Sequence, residues 1–271
     1  MYKPENSSNV ANEFTRYNNF GLREEFIDAF LERGETFFRW DSAHPLGDKK
    51  VDACKKWFPQ ALIVTKDRKS TRLVEIFRNK TKQDLAWEFV WMALVNYSPL
   101  INWYCVATEL DERKEVRSLL ESLQESYPLT NNAKDRRLDA LKNTADSSPL
   151  GGDSNAPMLP EYKGSKVIAI TRKAKDVHPL TILYGLYLIA DLAGRGSFTV
   201  RELLTADMDS KFISPLVAFG IAPDIFKRQC EGLRTRYPDY ISTTFTHGND
   251  GLDVYPQKHT LEDIVNLALG E

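Results

Sequence analysis

Lysine and arginine are the residues of this sequence whose types and spacing are best suited to chemistry, and they gather between Leu46 and Lys82. This stretch contains eleven Lys and Arg against four Asp and Glu, although the chain of 271 residues has a net charge of −2. Clustered cations bind the phosphates of nucleic acids, which dominate non-specific affinity. We therefore predict contact with double-stranded DNA through eight residues: Lys49, Lys50, Lys55, Lys56, Lys66, Arg68, Lys69 and Arg72.

A second cationic group lies on a predicted helix from Pro223 to Arg236. Its apolar positions would face a core and leave four cations facing outward, namely Lys227, Arg228, Arg234 and Arg236. Arg and Lys on a recognition helix contact phosphates or base edges. The alternative is an ordinary solvated face, since charge runs usually only solvate a surface. The first group also has an alternative, which is docking to an acidic protein surface.

Signatures of catalysis are scarce. The sequence has no GxxxxGK[ST] phosphate loop, no GxSxG elbow and no HExxH motif, and its four histidines are isolated from one another. We therefore predict a non-catalytic protein with no metal and no cofactor.

One short pattern is typical of metal-dependent nucleases, in which carboxylates hold Mg²⁺ and a lysine helps to polarise the attacking water. It places an acidic residue two positions before a lysine. It occurs at Glu112-Arg113-Lys114 and at Glu161-Tyr162-Lys163, with Asp146 and Asp153 upstream of the second. A nuclease is therefore the third functional hypothesis, after a DNA-binding protein and an interaction scaffold.

The C-terminal segment carries the helix signals of a winged helix. Residues His178 to Ala193 leave no polar face, which predicts a helix buried on all sides. Thr199 and Glu202 fit a capping box that begins a helix at Val200. The next helix is predicted to begin at Pro223.

A hairpin should follow these helices. Tyr240 to Thr246 and Leu252 to Tyr255 alternate in polarity around a turn that contains His247, two glycines and an asparagine. This hairpin is the predicted wing, and its Thr243, Thr244 and His247 are weaker candidates for DNA contact.

The N-terminal segment predicts a similar order of helix, helix and hairpin. A helix begins near Leu22 and a basic helix runs from Gly47 to Phe58. Ala61 to Val64 is typical of a strand, Lys66 to Ser70 of a polar turn, and Leu73 to Phe77 of a partner strand or a short helix.

The middle segment is predicted to be helical, and a stretch rich in proline and glycine follows it. Leu85 to Val95 is a buried helix, Arg113 to Gln124 an amphipathic one, and Thr130 can cap another. The predicted fold class is mainly α with small β-hairpins, arranged as tandem winged-helix-like domains. The predicted divisions are a basic domain at 1–82, a helical domain at 83–145, a linker or long loop at 146–164, and a C-terminal domain at 165–271.

Composition places this chain among globular proteins with proper cores, since 42% of its residues are hydrophobic. Its three cysteines are far apart and form no CxxC pair, so we expect reduced thiols in the core. The hydrophilic N-terminus and the absence of a long apolar run predict a cytoplasmic protein with no membrane partner.

The sequence resembles a bacterial family of uncharacterised domains found beside genes similar to phosphoadenosine-phosphosulfate reductase, in clusters for DNA modification or phage defence. The resemblance implies a DNA-linked accessory protein that works with other subunits, and it carries no catalytic residue across. The residues that carry it are Gly34-Glu35-Thr36-Phe37-Phe38-Arg39, Leu46-Gly47, Trp57, Trp87, Trp91, Trp103, Tyr184, Ser214-Pro215, Phe219-Gly220-Ile221 and Gly251-Leu252.

The sequence thus predicts a non-catalytic DNA-binding accessory protein of a bacterial DNA-modification or phage-defence system. The expected partners are double-stranded DNA and other subunits of such a complex. The main alternative is a scaffold whose winged-helix units dock partner proteins.

Overall fold

The structure is a computed structural model that describes residues 17, 19–39, 41, 44–127, 131–152, 155–206, 210–246 and 249–271, with the backbone alone for residues 131–137 and 249. It is mainly helical and contains two small three-stranded antiparallel sheets. The predicted fold class is confirmed at this level. Among the described residues, every helix is too short or too polar to cross a bilayer.

The N-terminal segment consists of helices joined by short turns. Helix α1 spans Glu24–Arg33, α2 spans Asp48–Gln60 and α3 spans Leu73–Arg78, with 3₁₀ turns at Gly34–Phe38 and Lys80–Lys82. Aromatic side chains from these elements form its core.

The predicted strand at Ala61 to Val64 is wrong. Of the two alternatives for Leu73 to Phe77, the short helix is confirmed and the partner strand is wrong. The predicted N-terminal hairpin therefore does not form among the residues that the structure describes. Only one bridge forms, between Val64 and Ser70, and Leu73 begins α3. The physical reason is the backbone at Leu62, whose φ of +54° reverses the chain directly after α2 and leaves too few residues for a ladder.

The middle segment begins with two buried helices, α4 (Gln83–Tyr97) and α5 (Pro99–Ala107). Strand β1 (Arg113–Glu115), helices α6 (Val116–Ser126) and α7 (Asn131–Ser147), and strands β2 (Met158–Lys163) and β3 (Lys166–Arg172) follow in order. The sheet has the order β1-β3-β2, so the last strand lies between the other two.

The predicted linker at 146–164 is wrong for residues 158–163, which form β2. Met158 and Pro160 are buried, so this stretch belongs to the packed sheet in spite of its proline. The other prolines and glycines that indicated a loop lie in the connection before β2 and at the Gly164-Ser165 turn. The middle segment therefore has a hairpin that the sequence analysis did not assign to it, and residue 165 lies inside that hairpin.

The C-terminal segment surrounds helix α8 (Pro179–Ala193). The elements after it are β4 (Ser197–Thr199), α9 (Val200–Leu203), α10 (Pro215–Phe219), α11 (Pro223–Arg236), β5 (Ile241–Thr246), β6 (Asn249–Val254) and α12 (Leu261–Gly270). The sheet has the order β4-β6-β5.

The local predictions for this segment are confirmed. Thr199 and Glu202 form a capping box ahead of α9, and α11 begins at Pro223. The predicted hairpin also forms, but its second strand begins at Asn249, inside the predicted turn and three residues before the predicted start at Leu252. His247 and Gly248 of the wing turn, like the cap at Thr130, lie outside the described residues. The buried hydrophobic residues of all three segments form one contiguous core.

Candidate nucleic-acid interface

The lysines of α2 do not line up on one face of their helix. Lys49 and Lys56 are seven residues apart, which is two turns, and therefore lie on the same side. Lys55 lies on the other flank, with Asp52 between, and Lys50 is close to the buried side. The predicted binding helix thus presents its charge in several directions.

Two of these lysines are also paired with carboxylates. The Nζ atom of Lys50 lies 2.8 Å from the Oε1 atom of Glu25 on α1, and the Nζ atom of Lys55 lies 2.6 Å from the Oδ1 atom of Asp52. Lys49 is exposed at the beginning of the helix. Because its own segment supplies the partner carboxylates, α2 offers less unneutralised charge than its composition indicates.

The chain reversal after α2 concentrates exposed charge. We call residues Thr65–Thr71 the basic turn. Its Lys66, Arg68 and Lys69 are exposed, and Asp67 is its single acidic residue. The guanidinium of Arg68, held at a φ of +63°, lies 5.6 Å from the ring centre of Phe38. Three cations therefore lie within four residues of one short surface loop, with Asp67 among them.

Hydrogen bonds hold the basic turn against the core. The N–H of Thr65 donates to the carbonyl oxygen of Lys69 at 2.8 Å, and the N–H of Thr71 donates to that of Ile63 at 3.0 Å. The Thr71 hydroxyl donates to the carbonyl oxygen of Leu62 at 2.6 Å. Since Ile63 and Val64 are buried, the loop has a fixed base and a charged tip.

Arg72 follows the basic turn and faces α12. Its Nε atom lies 3.8 Å from the Oε1 atom of Glu262, across a groove of about 460 Å³ that Tyr184, Leu261 and Val265 also line. This ion pair is long and exposed, so it contributes little, and Arg72 remains an exposed cation directly after the basic turn.

Helix α11 buries the face that the sequence predicted. Phe226, Cys230 and Leu233 are buried, Gln229 and Tyr237 are half-buried, and Arg228 and Arg234 are exposed. The other two predicted cations have acidic partners, at the two ends of the helix.

These partners hold Lys227 and Arg236 in place. The Nζ atom of Lys227 lies 2.8 Å from the Oδ1 atom of Asp250 on β6. A guanidinium nitrogen of Arg236 lies 3.1 Å from the Oε1 atom of Glu271, a side chain that is only 17% exposed. Only Arg228 and Arg234 of the four therefore lack a carboxylate partner among the described residues.

The two acidic-x-Lys patterns are closed by ion pairs. Lys114 lies 2.5 Å from Glu112, and the guanidinium of Arg113 bridges both carboxylate oxygens of Glu161 at 2.5 and 3.0 Å. The hydrogen bond from Lys114 lowers the pKa of Glu112, and those from Arg113 lower the pKa of Glu161. Asp153 lies outside the described residues.

Sequence reasoning missed two ionisable groups that the fold buries. Glu88 on α4 is 5% exposed, and its carboxylate accepts hydrogen bonds from the His178 N–H at 3.0 Å and from the Thr181 hydroxyl at 2.5 Å. Burial raises the pKa of Glu88. Arg172 at the end of β3 is also 5% exposed. The sequence signal for Glu88 was its position inside the apolar run of α4, which indicates a buried carboxylate.

Comparison with solved structures gives a likeness over nearly the whole chain. The fold is similar to that of SspB. The magnesium ion-bound SspB crystal structure superposes with a TM-score of 0.66 and 14% identity, over 96% of this chain and 88% of that one. A second SspB crystal structure gives 0.65 and 14%, over 94% and 86%. No protein-family model and no curated protein matches the sequence.

At this identity the likeness shows a shared fold, and the magnesium ion belongs to SspB. In the part of this chain that the structure describes, no three His, Cys, Asp or Glu side chains come together as a metal site would require. The described carboxylates of the nuclease patterns are engaged by cations or, for Asp146, by the Tyr162 hydroxyl at 2.9 Å. The described residues therefore do not fit a bound Mg²⁺, and we derive no metal chemistry.

Proposed function

We propose that this protein is a non-catalytic DNA-binding accessory protein of a bacterial DNA-modification or phage-defence system, in which it works with other subunits. The observation that carries the proposal is the basic turn, where Lys66, Arg68 and Lys69 stand exposed on a loop with a fixed base. A basic loop of this kind suits a phosphate backbone, because its base is already fixed and little loop freedom is lost on binding.

We further propose that two winged-helix units organise the chain, one built on β1 to β3 and one on β4 to β6. In each sheet the strand after the hairpin turn lies between the other two, and helices connect the first and second strands. Winged-helix proteins use this order to place a recognition helix in the major groove and a hairpin beside it. The exposed Arg228 and Arg234 of α11 support such a role for the second unit.

The biological setting rests on the resemblance carried by the Gly34–Arg39 motif and the tryptophans. In the structure Phe37, Trp57, Trp91 and Trp103 of this set are fully buried and serve the core, whereas Glu35, Thr36 and Arg39 are exposed. The buried aromatic residues therefore supply packing and no binding group.

The proposal is tested by the salt dependence of duplex binding. Fluorescence anisotropy with a labelled 20-base-pair duplex is measured at several salt concentrations for the wild type and for a triple variant, Lys66→Gln, Arg68→Gln and Lys69→Gln. Each phosphate contact contributes about 0.9 to the slope of log K on log salt, so the triple variant should lose roughly 3 from the slope and roughly 100-fold in affinity at 0.15 M.

The matched control removes the same charge by Arg117→Gln, Lys211→Gln and Lys258→Gln, which are exposed positions outside the basic turn. It should retain most of the wild-type affinity. A wild-type protein that does not bind duplex DNA even at low salt would overturn the proposal, and docking of partner proteins would then be the better account of the basic turn.

A further inference from the structure

The hairpin of β2 and β3 has a pair of lysines at its tip. One of them, Lys163, belongs to the acidic-x-Lys pattern and the other, Lys166, does not. Lys163 and Lys166 are cross-strand partners on the two sides of the two-residue turn Gly164-Ser165. Both are exposed, and neither forms an ion pair with any residue that the structure describes. By contrast Arg113, Lys114 and Lys173, on or beside the same sheet, each pair with a carboxylate.

This arrangement works against the stability of the free protein. Like charges directly opposite each other destabilise an antiparallel ladder. The turn itself requires only a residue that tolerates positive φ, which Gly164 provides at +62°. Nothing in the folding of the hairpin demands a cation at both closing positions, so the pair fits an anion that lies across both side chains.

The strands below the tip are held firmly. The guanidinium of Arg113 on β1 spans β3 to reach Glu161 on β2, and the Tyr162 hydroxyl donates to Asp146 on α7 at 2.9 Å. Met158 and Ile170 are fully buried beneath them. The backbone from which both lysines extend is therefore fixed before any ligand arrives.

The geometry of the tip suits a DNA backbone. Directly opposed residues have Cβ atoms about 5 Å apart, and lysine carries a flexible four-carbon stem. The minor groove of B-form DNA is about 6 Å wide, so the two ammonium groups can reach phosphates on its opposite walls. In the proposed winged-helix arrangement this hairpin follows α7 as a wing follows its recognition helix.

We propose that the Lys163–Lys166 hairpin tip is a second phosphate-binding element, which grips the backbone of duplex DNA independently of sequence and separately from the basic turn. This inference rests on the proposed function, because it assumes that the chain binds duplex DNA.

The test uses the full chain with the labelled 20-base-pair duplex. The double variant Lys163→Gln, Lys166→Gln should lose about 2 from the slope of log K on log salt and roughly 30-fold in affinity at 0.15 M. The double variant Lys163→Arg, Lys166→Arg should keep the wild-type salt slope and affinity, because arginine preserves the charge and the reach of each side chain. The control Lys211→Gln, Lys258→Gln removes the same charge from the C-terminal segment.

A second readout does not depend on DNA. In the free protein Lys166→Gln alone should raise the melting temperature slightly, because it relieves the cross-strand repulsion, and circular dichroism checks that the fold is retained.

A slope and affinity equal to the wild-type values in the glutamine double variant would overturn this inference. The proposed function would survive that result if the basic-turn variant still lost binding, whereas a wild type that binds no duplex would overturn both. Equal losses in the control pair would also overturn the inference, because they would show a response to net charge alone.

Discussion

The guanidinium of Arg172 donates a hydrogen bond to the carbonyl oxygen of Val217 and so ties the end of strand β3 to helix α10. The same group donates to the carbonyl oxygens of Cys105 at 2.7 Å and Thr108 at 3.0 Å, at the end of α5. Backbone oxygens thus replace water around two nitrogens of a buried cation. This side chain joins the two sheet-bearing segments from which the proposed wings extend.

Replacing Arg172 by methionine should lower the free energy of unfolding by about 2 kcal/mol or more, because the buried Cys105 and Thr108 each lose a donor to their carbonyl oxygen, at about 1–3 kcal/mol each. Urea denaturation measures the change. The matched control is Lys173→Met, whose ion pair with Asp111 is exposed and should contribute under about 1 kcal/mol. Equal stability of the two variants would contradict the role given to Arg172.

Glu88 links α4 to the first turn of α8 and should make stability depend on pH. Burial raises its pKa above the ordinary value of 4.5, although Thr181, His178 and Lys175 partly offset this. The folded state therefore holds this proton more tightly than the unfolded state. The stabilising contribution is fully present below the unfolded pKa and is lost as pH rises through the folded one.

The variant Glu88→Gln isolates this effect because glutamine keeps an acceptor for the two hydrogen bonds and does not titrate. The stability of the wild type relative to the variant should fall as pH rises above 4.5 and then level off. Urea denaturation of both proteins at several pH values from 4 to 8 gives the difference directly. A difference that is constant or grows with pH would show that burial does not dominate at this carboxylate.

The elements that could be predicted from the sequence are those whose signals lie within a few residues of one another. The capping box at Thr199 and Glu202, the proline that begins α11 and the apolar run of α8 are local signals, and each formed as expected. They positioned the C-terminal segment correctly because no distant residue has to be known to interpret them.

The parts that failed depend on partners far away in the chain. Glu25 neutralises Lys50 from another helix, and Arg113 engages Glu161 across 48 residues. Strand β1 has three residues, too few to show alternation, and exists because β3 pairs with it. Which cations stay exposed is therefore decided by tertiary packing, and composition alone overstated the charge available on α2.

Helix α8 lies close to its neighbours at Gly185. A Cβ atom there would lie 2.5 Å from the Cγ atom of Pro215 and 3.0 Å from the Sδ atom of Met92. We expect Gly185→Ala to destabilise the protein by about 1–3 kcal/mol through overpacking. Gly232→Ala is the control, because nothing lies within 4 Å of its added methyl group and helix propensity should stabilise α11 by up to about 1 kcal/mol. Thermal denaturation of both variants should give shifts of opposite sign.

The three cysteines should be inert in the native protein. Cys54, Cys105 and Cys230 are buried, and burial raises the pKa of each thiol, that of Cys105 to about 11. Only the thiolate reacts with Ellman's reagent. At pH 8 we expect no fast reaction until denaturant is added, after which three thiols should react. Rapid native labelling would show that one of these sites opens to solvent.

Under the proposed function, Asp250 should compete with DNA for Lys227. The two side chains lie 2.8 Å apart between α11 and β6, on the surface that the second proposed winged-helix unit would turn toward the duplex. Asp250→Asn removes a negative charge from that surface and frees the ammonium group, so duplex affinity should rise by up to about 5-fold, the equivalent of an exposed ion pair. Fluorescence anisotropy at 0.15 M salt measures the gain.

The control Asp84→Asn changes the net charge equally at an exposed position on α4 and should have little effect on duplex affinity. Equal gains in both variants would mean that only overall charge matters, and no gain at Asp250 would place α11 away from the DNA.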